Sequence, residues 1–217
     1  MCFSPSASFG ASGVLLAIGT ISVIKAQTTP QRIFAFIPLI FSVQQFFEGL
    51  LWLALLYPVY AHWERTATYT FLVFAQVVWP VFLPFAIMLL EKEQVRKNIL
   101  MLFLGVGIAV GGYLAYCMLN YNVTGIIDGH HIRYDVDFPG SNQWYSGIFY
   151  FIPTAISPFI SSVKRMKLFG LLIILSYIVT RVFYHYYVIS VWCYFGAILS
   201  IVVLFIIMQL RKEQIKM

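Results

Sequence analysis

Residues 168–210 form one apolar run, LFGLLIILSYIVTRVFYHYYVISVWCYFGAILSIVVLFIIMQL, and this run decides the fold class. It is more than forty residues long, about twice the roughly 20 residues that one helix needs to cross a bilayer. A single straight helix of that length would leave much of its apolar surface in water. We therefore expect two membrane-spanning helices, divided by a turn near residues 184–188.

The rest of the chain continues this composition. Of its 217 residues, 61% are hydrophobic and 10% are charged, whereas about 25% charged residues is usual for soluble domains. The mean hydropathy is +0.85. Seven apolar stretches are each about long enough to cross a bilayer, roughly over residues 8–25, 34–57, 67–90, 98–118, 144–163, 168–185 and 188–210. They use most of the chain, so we expect one all-α, seven-helix integral membrane domain over residues 1–217.

Basic residues alternate between the two ends of these predicted helices. Lysine and arginine accumulate on the cytoplasmic side of membrane proteins, which predicts an outside N-terminus and a cytoplasmic C-terminus here. The net charge of +6 then follows from topology with some affinity for anionic lipid, and it indicates no nucleic-acid partner. Eleven of the fourteen basic residues lie on the predicted inner side: Lys25, Arg32, Lys92, Arg96, Lys97, Lys164, Arg165, Lys167, Arg211, Lys212 and Lys216.

The longest predicted connection covers residues 119–143 on the outer side. Within it, Asp128-Gly129 lies between two segments of β-forming residues, and Asp-Gly is a strong signal for a two-residue hairpin turn. We expect a small β-hairpin that caps the outer face of the bundle.

Glu48 lies inside an apolar span, unlike the other seven carboxylates of the chain. A charged group in hydrocarbon is costly, and such residues mark functional sites by default. Gln44, Gln45 and Trp52 stand at helical spacings from Glu48, which places all four on one face of the second span. We predict that this face lines a polar pocket in the outer half of the bundle.

Three residues of other spans complete the predicted pocket. Gln76 in the third span, Arg181 in the sixth and His185 one turn later all fall at outer-half depth. We expect Glu48 and Arg181 to approach each other, directly or through water. Two alternatives stay open: a sealed structural ion pair, or an Arg181 that extends to the interface and leaves Glu48 to handle protons.

Cysteines and histidines raise the question of a metal or a reactive thiol. Cys2, Cys193 and His185 all map to the outer side and are the candidate ligands or nucleophiles. The chain contains no metal-binding spacing such as H-x-x-x-H or C-x-x-C, so zinc or another transition metal is not favoured. The cofactor is unknown at this stage.

A strip of small residues lies in the fourth span. Gly107 and Gly111 form a small-xxx-small pattern, which lets two helix backbones approach closely. The contact would lie either within the monomer or between copies in a homo-oligomer.

Three motifs resemble those of an uncharacterised family of small, mostly bacterial, multi-pass membrane proteins. They are MCFSPSASF at residues 1–9, QQFFEGLLW at 44–52 and VWCYFGA at 191–197. The family opens MCFS-x-x-ASF, and this chain has Pro5-Ser6 where Ala-Thr is usual. The resemblance implies a shared architecture, an outer-side site containing Glu48, Cys2 and Cys193, and a bacterial inner (plasma) membrane location.

The leading functional hypothesis is the binding, transport or sensing of a small polar ligand or ion that enters from outside. Glu48 would accept charge or a proton, with Arg181 as its counter-charge. One alternative is a membrane-embedded, metal-dependent hydrolase or oxidoreductase with its site on the outer side. Another is a structural subunit of a membrane complex. Whether the protein is an enzyme is open on sequence alone.

Overall fold

The computed structural model describes residues 4–138 and 146–215, and these residues are mostly helical. Two π-helical segments, Val73–Val78 and Ile152–Ile156, and two 3-10 turns, Pro58–Trp63 and His185–Tyr187, interrupt the α-helices. The regular elements are α1 (Pro5–Lys25), α2 (Thr29–Ala35), α3 (Ile37–Leu56), α4 (Glu64–Leu72), α5 (Trp79–Leu90), α6 (Gln94–Asn120), β1 (Val123–Asp128), β2 (His131–Val136), α7 (Ser146–Phe151), α8 (Ser157–Ile160), α9 (Met166–Phe183) and α10 (Val188–Ile215).

Six helical stretches in this part of the chain are long and apolar enough to cross a membrane. The long C-terminal run is divided as expected: α9 ends at Phe183, and Tyr184 takes a non-helical backbone conformation before the next 3-10 turn. The six are Pro5–Lys25, Thr29–Leu56, Pro58–Leu90, Gln94–Asn120, Met166–Phe183 and His185–Gln214.

The described part of the predicted fifth span is shorter than the other apolar helices. An apolar helical stretch covers Gly147–Ile160, while residues 144 and 145 lie outside the described part. Its middle is π-helical because Pro153 has no backbone N–H and cannot continue the regular ladder. A side chain donates to a carbonyl in this distorted segment: the Ser157 hydroxyl donates to the Pro153 oxygen at 2.7 Å. Six of the seven predicted spans therefore have apolar helices of membrane length, whereas the described residues of the fifth form a shorter one.

A proline also explains the π-helical segment before α5. Trp79 donates its backbone N–H to Phe74, five residues back, so Ala75 would receive its bond from residue 80. Residue 80 is a proline without that donor. The hydroxyl of Tyr150 donates to the Ala75 carbonyl instead, and thereby joins the fifth stretch to the third.

Helices α1, α3 and α10 pack against one another. Two serines face each other across α1 and α3: the Ser12 hydroxyl donates to the Ser42 carbonyl at 2.9 Å, and the Ser42 hydroxyl donates to the Ser12 carbonyl at 2.8 Å. Small hydroxyl residues of this kind let helices approach closely while their polar groups stay paired. This close packing fixes the position of the α3 face that carries Glu48.

The expected hairpin is confirmed as a two-stranded antiparallel sheet of β1 and β2. Gly129 occupies its turn with φ of 61°, a conformation that glycine adopts without strain. Tyr134 stacks on Phe71 of α4, with ring centroids 4.9 Å apart, and His131 stacks on Tyr187 at 4.5 Å. The hairpin thus covers the end of the bundle at which α3 ends and α10 begins.

Gly107 and Gly111 pack inside the monomer. A Cβ atom on Gly107 would lie 1.8 Å from the Pro80 carbonyl oxygen, and one on Gly111 would lie 3.1 Å from the Val77 oxygen. The strip is therefore the contact of α6 with α5 and the π-helical segment before it.

Candidate functional site

Glu48 is completely buried on α3, and its carboxylate accepts hydrogen bonds from two neutral side chains. The Ser190 hydroxyl at the start of α10 donates to one carboxylate oxygen at 2.6 Å. The Gln45 amide, one turn earlier on α3, donates to the other at 3.1 Å. Neither donor carries a charge. The site is formed where α10 begins against the middle of α3, directly beneath the 3-10 turn on which the hairpin rests.

Gln44 links three helices beside Glu48. Its amide nitrogen donates to the Cys193 sulfur of α10 at 2.9 Å, and its amide oxygen accepts from the Trp79 indole of α5 at 2.8 Å. The Trp79 ring stacks on Phe41 with centroids 4.0 Å apart. Gln44 is buried with both its amide nitrogen and its amide oxygen engaged, so it positions the helices around the site.

Three buried polar atoms near this face have no hydrogen-bond partner among the described residues. They are the Gln45 carbonyl oxygen, the Trp52 indole N–H and the Gln76 carbonyl oxygen. Gln45 and Trp52 are on the Glu48 face of α3, and Gln76 belongs to the π-helical segment that contacts α3. Leaving such a group unsatisfied costs about 1–3 kcal/mol, so buried polar atoms normally have a partner. Two acceptors and one donor thus lack a partner within the described residues.

Arg181 and His185 do not join this cluster. Both side chains are exposed, and none of the three ion pairs between described residues involves Glu48 or Arg181. A direct Glu48–Arg181 ion pair is therefore not formed in this structure. The reason is the rotation of α9, whose buried face carries Ser176 and Thr180 and so turns Arg181 outward. Two residues at the same depth along their spans therefore do not have to point toward each other.

The candidate metal or thiol residues also separate. Cys193 is buried and accepts a hydrogen bond from Gln44, His185 is exposed at the start of the 3-10 turn His185–Tyr187, and Cys2 lies outside the described residues. Residues 4–138 and 146–215 contain no group of three or more His, Cys, Asp or Glu side chains that could hold a metal ion.

The sequence analysis missed two buried polar residues that join separate segments of the chain, Ser190 at the Glu48 site and Glu91 in the α5–α6 connection. Ser190 lies in an apolar stretch, where a single hydroxyl does not by itself indicate a site. Its position within one turn of the predicted break could have indicated one. Glu91 lies among charged loop residues, yet it is buried at 2% exposure. Its carboxylate accepts from both the backbone N–H and the hydroxyl of Ser162, at 2.6 Å each.

The fold and the site define a small helical protein with several helices of membrane length around a buried carboxylate. The chain belongs to a family of unknown function, DUF6629, whose model matches residues 1–216. The uncharacterised character of the family agrees with the resemblance drawn from the three motifs. No curated protein and no solved structure matches the chain.

Proposed function

We propose that the chain is a seven-span protein of a bacterial inner membrane, with its N-terminus outside and its C-terminus in the cytoplasm. Six long apolar helices support a membrane location. The fifth stretch, Gly147–Ile160, would cross as a broken, proline-containing helix, a form that membrane proteins tolerate where protein surrounds it. The concentration of basic residues in alternate connections supports the orientation.

In this bundle the Glu48 face binds a small polar ligand or ion that enters from the outer side. The observation that carries the proposal is the set of unpartnered buried atoms on Gln45, Trp52 and Gln76. A ligand that both donates and accepts hydrogen bonds would satisfy the two amide oxygens and the indole N–H. Glu48 is the charged acceptor of the site, and Ser190 holds its carboxylate in place.

The roles differ from those expected of the sequence-predicted residues. Gln44 is engaged with Cys193 and Trp79, so it supports the site and does not bind the ligand. Arg181 and His185 are exposed and take no direct part in the buried site.

The test is thermal unfolding of the detergent-purified full chain, titrated with sodium chloride, zinc chloride or ethanolamine. Ethanolamine is included because its ammonium group donates to amide and carboxylate oxygens while its hydroxyl accepts from an indole. We expect at least one probe to raise the unfolding midpoint of the wild-type protein, since a ligand that binds only the folded state stabilises it. Glu48→Gln and Gln76→Leu should each abolish the shift.

Gln209→Leu is the matched control. Gln209 also carries an unpartnered amide oxygen, but it lies near the opposite end of α10. The control should keep the full shift. A shift that survives in Glu48→Gln and Gln76→Leu would contradict the proposed site. So would a Gln76→Leu variant that is as stable as the wild type, or more stable, with every probe present, because the Gln76 amide oxygen would then bind no ligand.

A further inference from the structure

A second site is suggested at the opposite end of the bundle, far along the chain from the Glu48 face. A cavity of about 370 Å³ opens beside the start of α9, next to the first turn of α6. It is lined by Arg96, Lys164, Arg165, Lys167 and residues 161–163, so no acidic side chain belongs to its wall. Its volume lies in the range of small-ligand pockets, which begin near about 300 Å³.

The four cations of the wall are engaged to different degrees. Arg96 is already paired with Glu93 and donates to the Ile160 carbonyl at 2.7 Å, so it forms a fixed side of the cavity. Lys164 and Lys167 are exposed, and no ion pair between described residues involves either of them. These two ammonium groups remain available to an anion.

The backbone at the cavity is held in an unusual conformation. Arg165 precedes α9 with φ of 68°, and it is the one non-glycine residue with positive φ in the described part of the chain. Its side chain provides no cap, and the Met166 N–H donates to the Val163 carbonyl at 3.1 Å, which leaves the N–H groups of Lys167 and Leu168 in the first turn of α9 for a ligand. Glu91 binds the backbone and hydroxyl of Ser162 and so fixes the loop that leads to this turn.

We propose that this cavity binds a phosphate group, carried either by an anionic phospholipid headgroup or by a free phosphate anion. Phosphate matches the wall because it accepts several charge-assisted hydrogen bonds from lysine, arginine and backbone N–H groups at once. The cavity lies at the basic end of the helices, where lipid headgroups meet the ends of membrane-spanning segments. A site built on a cavity and a fixed backbone differs from the diffuse attraction that any basic loop exerts on lipid.

The experiment uses the detergent-purified full chain and two probes. Native mass spectrometry counts bound phosphatidylglycerol against phosphatidylcholine, and calorimetry measures the binding of inorganic phosphate. The test variant is Lys164→Gln with Lys167→Gln. The matched control is Lys25→Gln with Lys212→Gln, which removes the same charge from two exposed lysines that do not line the cavity.

We expect the cavity variant to lose affinity for phosphatidylglycerol by about tenfold or more, and the control by less than about twofold. Binding of phosphatidylglycerol alone identifies a lipid phosphate as the occupant, whereas binding of both probes extends the site to free phosphate. Arg165→Gly, which suits the positive φ, should fold normally and also weaken binding. Equal losses in both double variants, undiminished binding in the cavity variant, or no binding of either probe would overturn the proposal.

Discussion

Gly107 shows how a single missing side chain sets a helix contact. Because a Cβ atom there would lie 1.8 Å from the Pro80 carbonyl oxygen, Gly107→Ala must push α6 away from α5. We expect a loss of about 2 kcal/mol or more in the free energy of unfolding. Gly105→Ala is the control, because nothing lies within 4 Å of its added methyl group, and it should be neutral or stabilising by up to about 1 kcal/mol.

Chemical unfolding of the purified protein in mixed micelles measures both changes. Equal stability of the two variants would contradict the close α5–α6 contact.

Ser190 is the residue-scale test of the Glu48 carboxylate. Ser190→Ala removes the hydroxyl that donates to Glu48 at 2.6 Å, and a hydrogen bond to a buried charged group contributes about 1.5–3 kcal/mol. We expect a loss of that size in the free energy of unfolding. Ser200→Ala serves for comparison, because Ser200 is equally buried on α10 but donates to the Gly196 carbonyl of its own helix. It should cost about 1 kcal/mol or less, and a similar cost for both would argue against a special role of Ser190.

At the scale of elements, Glu91 joins the α5–α6 connection to the segment before α9. Burial raises the pKa of Glu91, but the hydrogen bonds from Ser162, Glu93 and Lys92 outweigh it and hold that pKa below the usual value of 4.5. A carboxyl group whose pKa is lower in the folded state stabilises the fold at pH values above its unfolded pKa. This contribution is lost as the pH falls from about 4.5 through the lower folded value.

We therefore expect Glu91→Gln to lower the thermal midpoint at pH 7, and the difference from wild type to shrink as the pH falls below about 4.5. Glu93→Gln, which changes an exposed carboxylate in the same connection, should leave the pH dependence nearly unaltered. Calorimetric unfolding at a series of pH values measures the effect. A constant difference at every pH would show that Glu91 acts through packing and not through its charge.

At the scale of the whole molecule, the number of crossings decides on which side each connection lies. The test places single cysteines at three exposed positions, Asn122→Cys, Lys92→Cys and Glu213→Cys, in a Cys2→Ser background. Cys117 and Cys193 are buried and should react slowly. With seven spans, a membrane-impermeant maleimide should label residue 122 in intact cells, and residues 92 and 213 only after lysis.

Labelling of residue 213 distinguishes a seven-span from a six-span topology, depending on whether the fifth stretch crosses the membrane. Three crossings between residues 122 and 213 place them on opposite sides, whereas a stretch Gly147–Ile160 that does not cross places them on the same side. Labelling of residue 213 together with 122 in intact cells would leave six spans. Labelling of residue 92 in intact cells would reverse the proposed orientation or exclude α6 from the membrane.

The sequence predicted the features that depend on local chemistry. The break in the long apolar run, confirmed at Tyr184, follows from the length of one helix against one bilayer. The hairpin at Asp128-Gly129, also confirmed, follows from the conformational freedom of glycine. Helical periodicity placed Gln45 and Glu48 on one buried face, and the structure shows both side chains there.

The tertiary structure decided everything that depends on how the helices rotate about their axes. The sequence indicated how deep each residue lies along its span, but not toward which neighbouring helix its side chain points. Arg181 was therefore expected near Glu48 and is instead exposed. Ser190 reaches Glu48, and Ser162 reaches Glu91, because packing brings together segments more than seventy residues apart. Many apolar side chains can fill the same helix contact, so the sequence does not specify which helices meet. The order of side chains along a helix determines its length and its apolar and polar faces, and close contacts with neighbouring helices determine which face meets which.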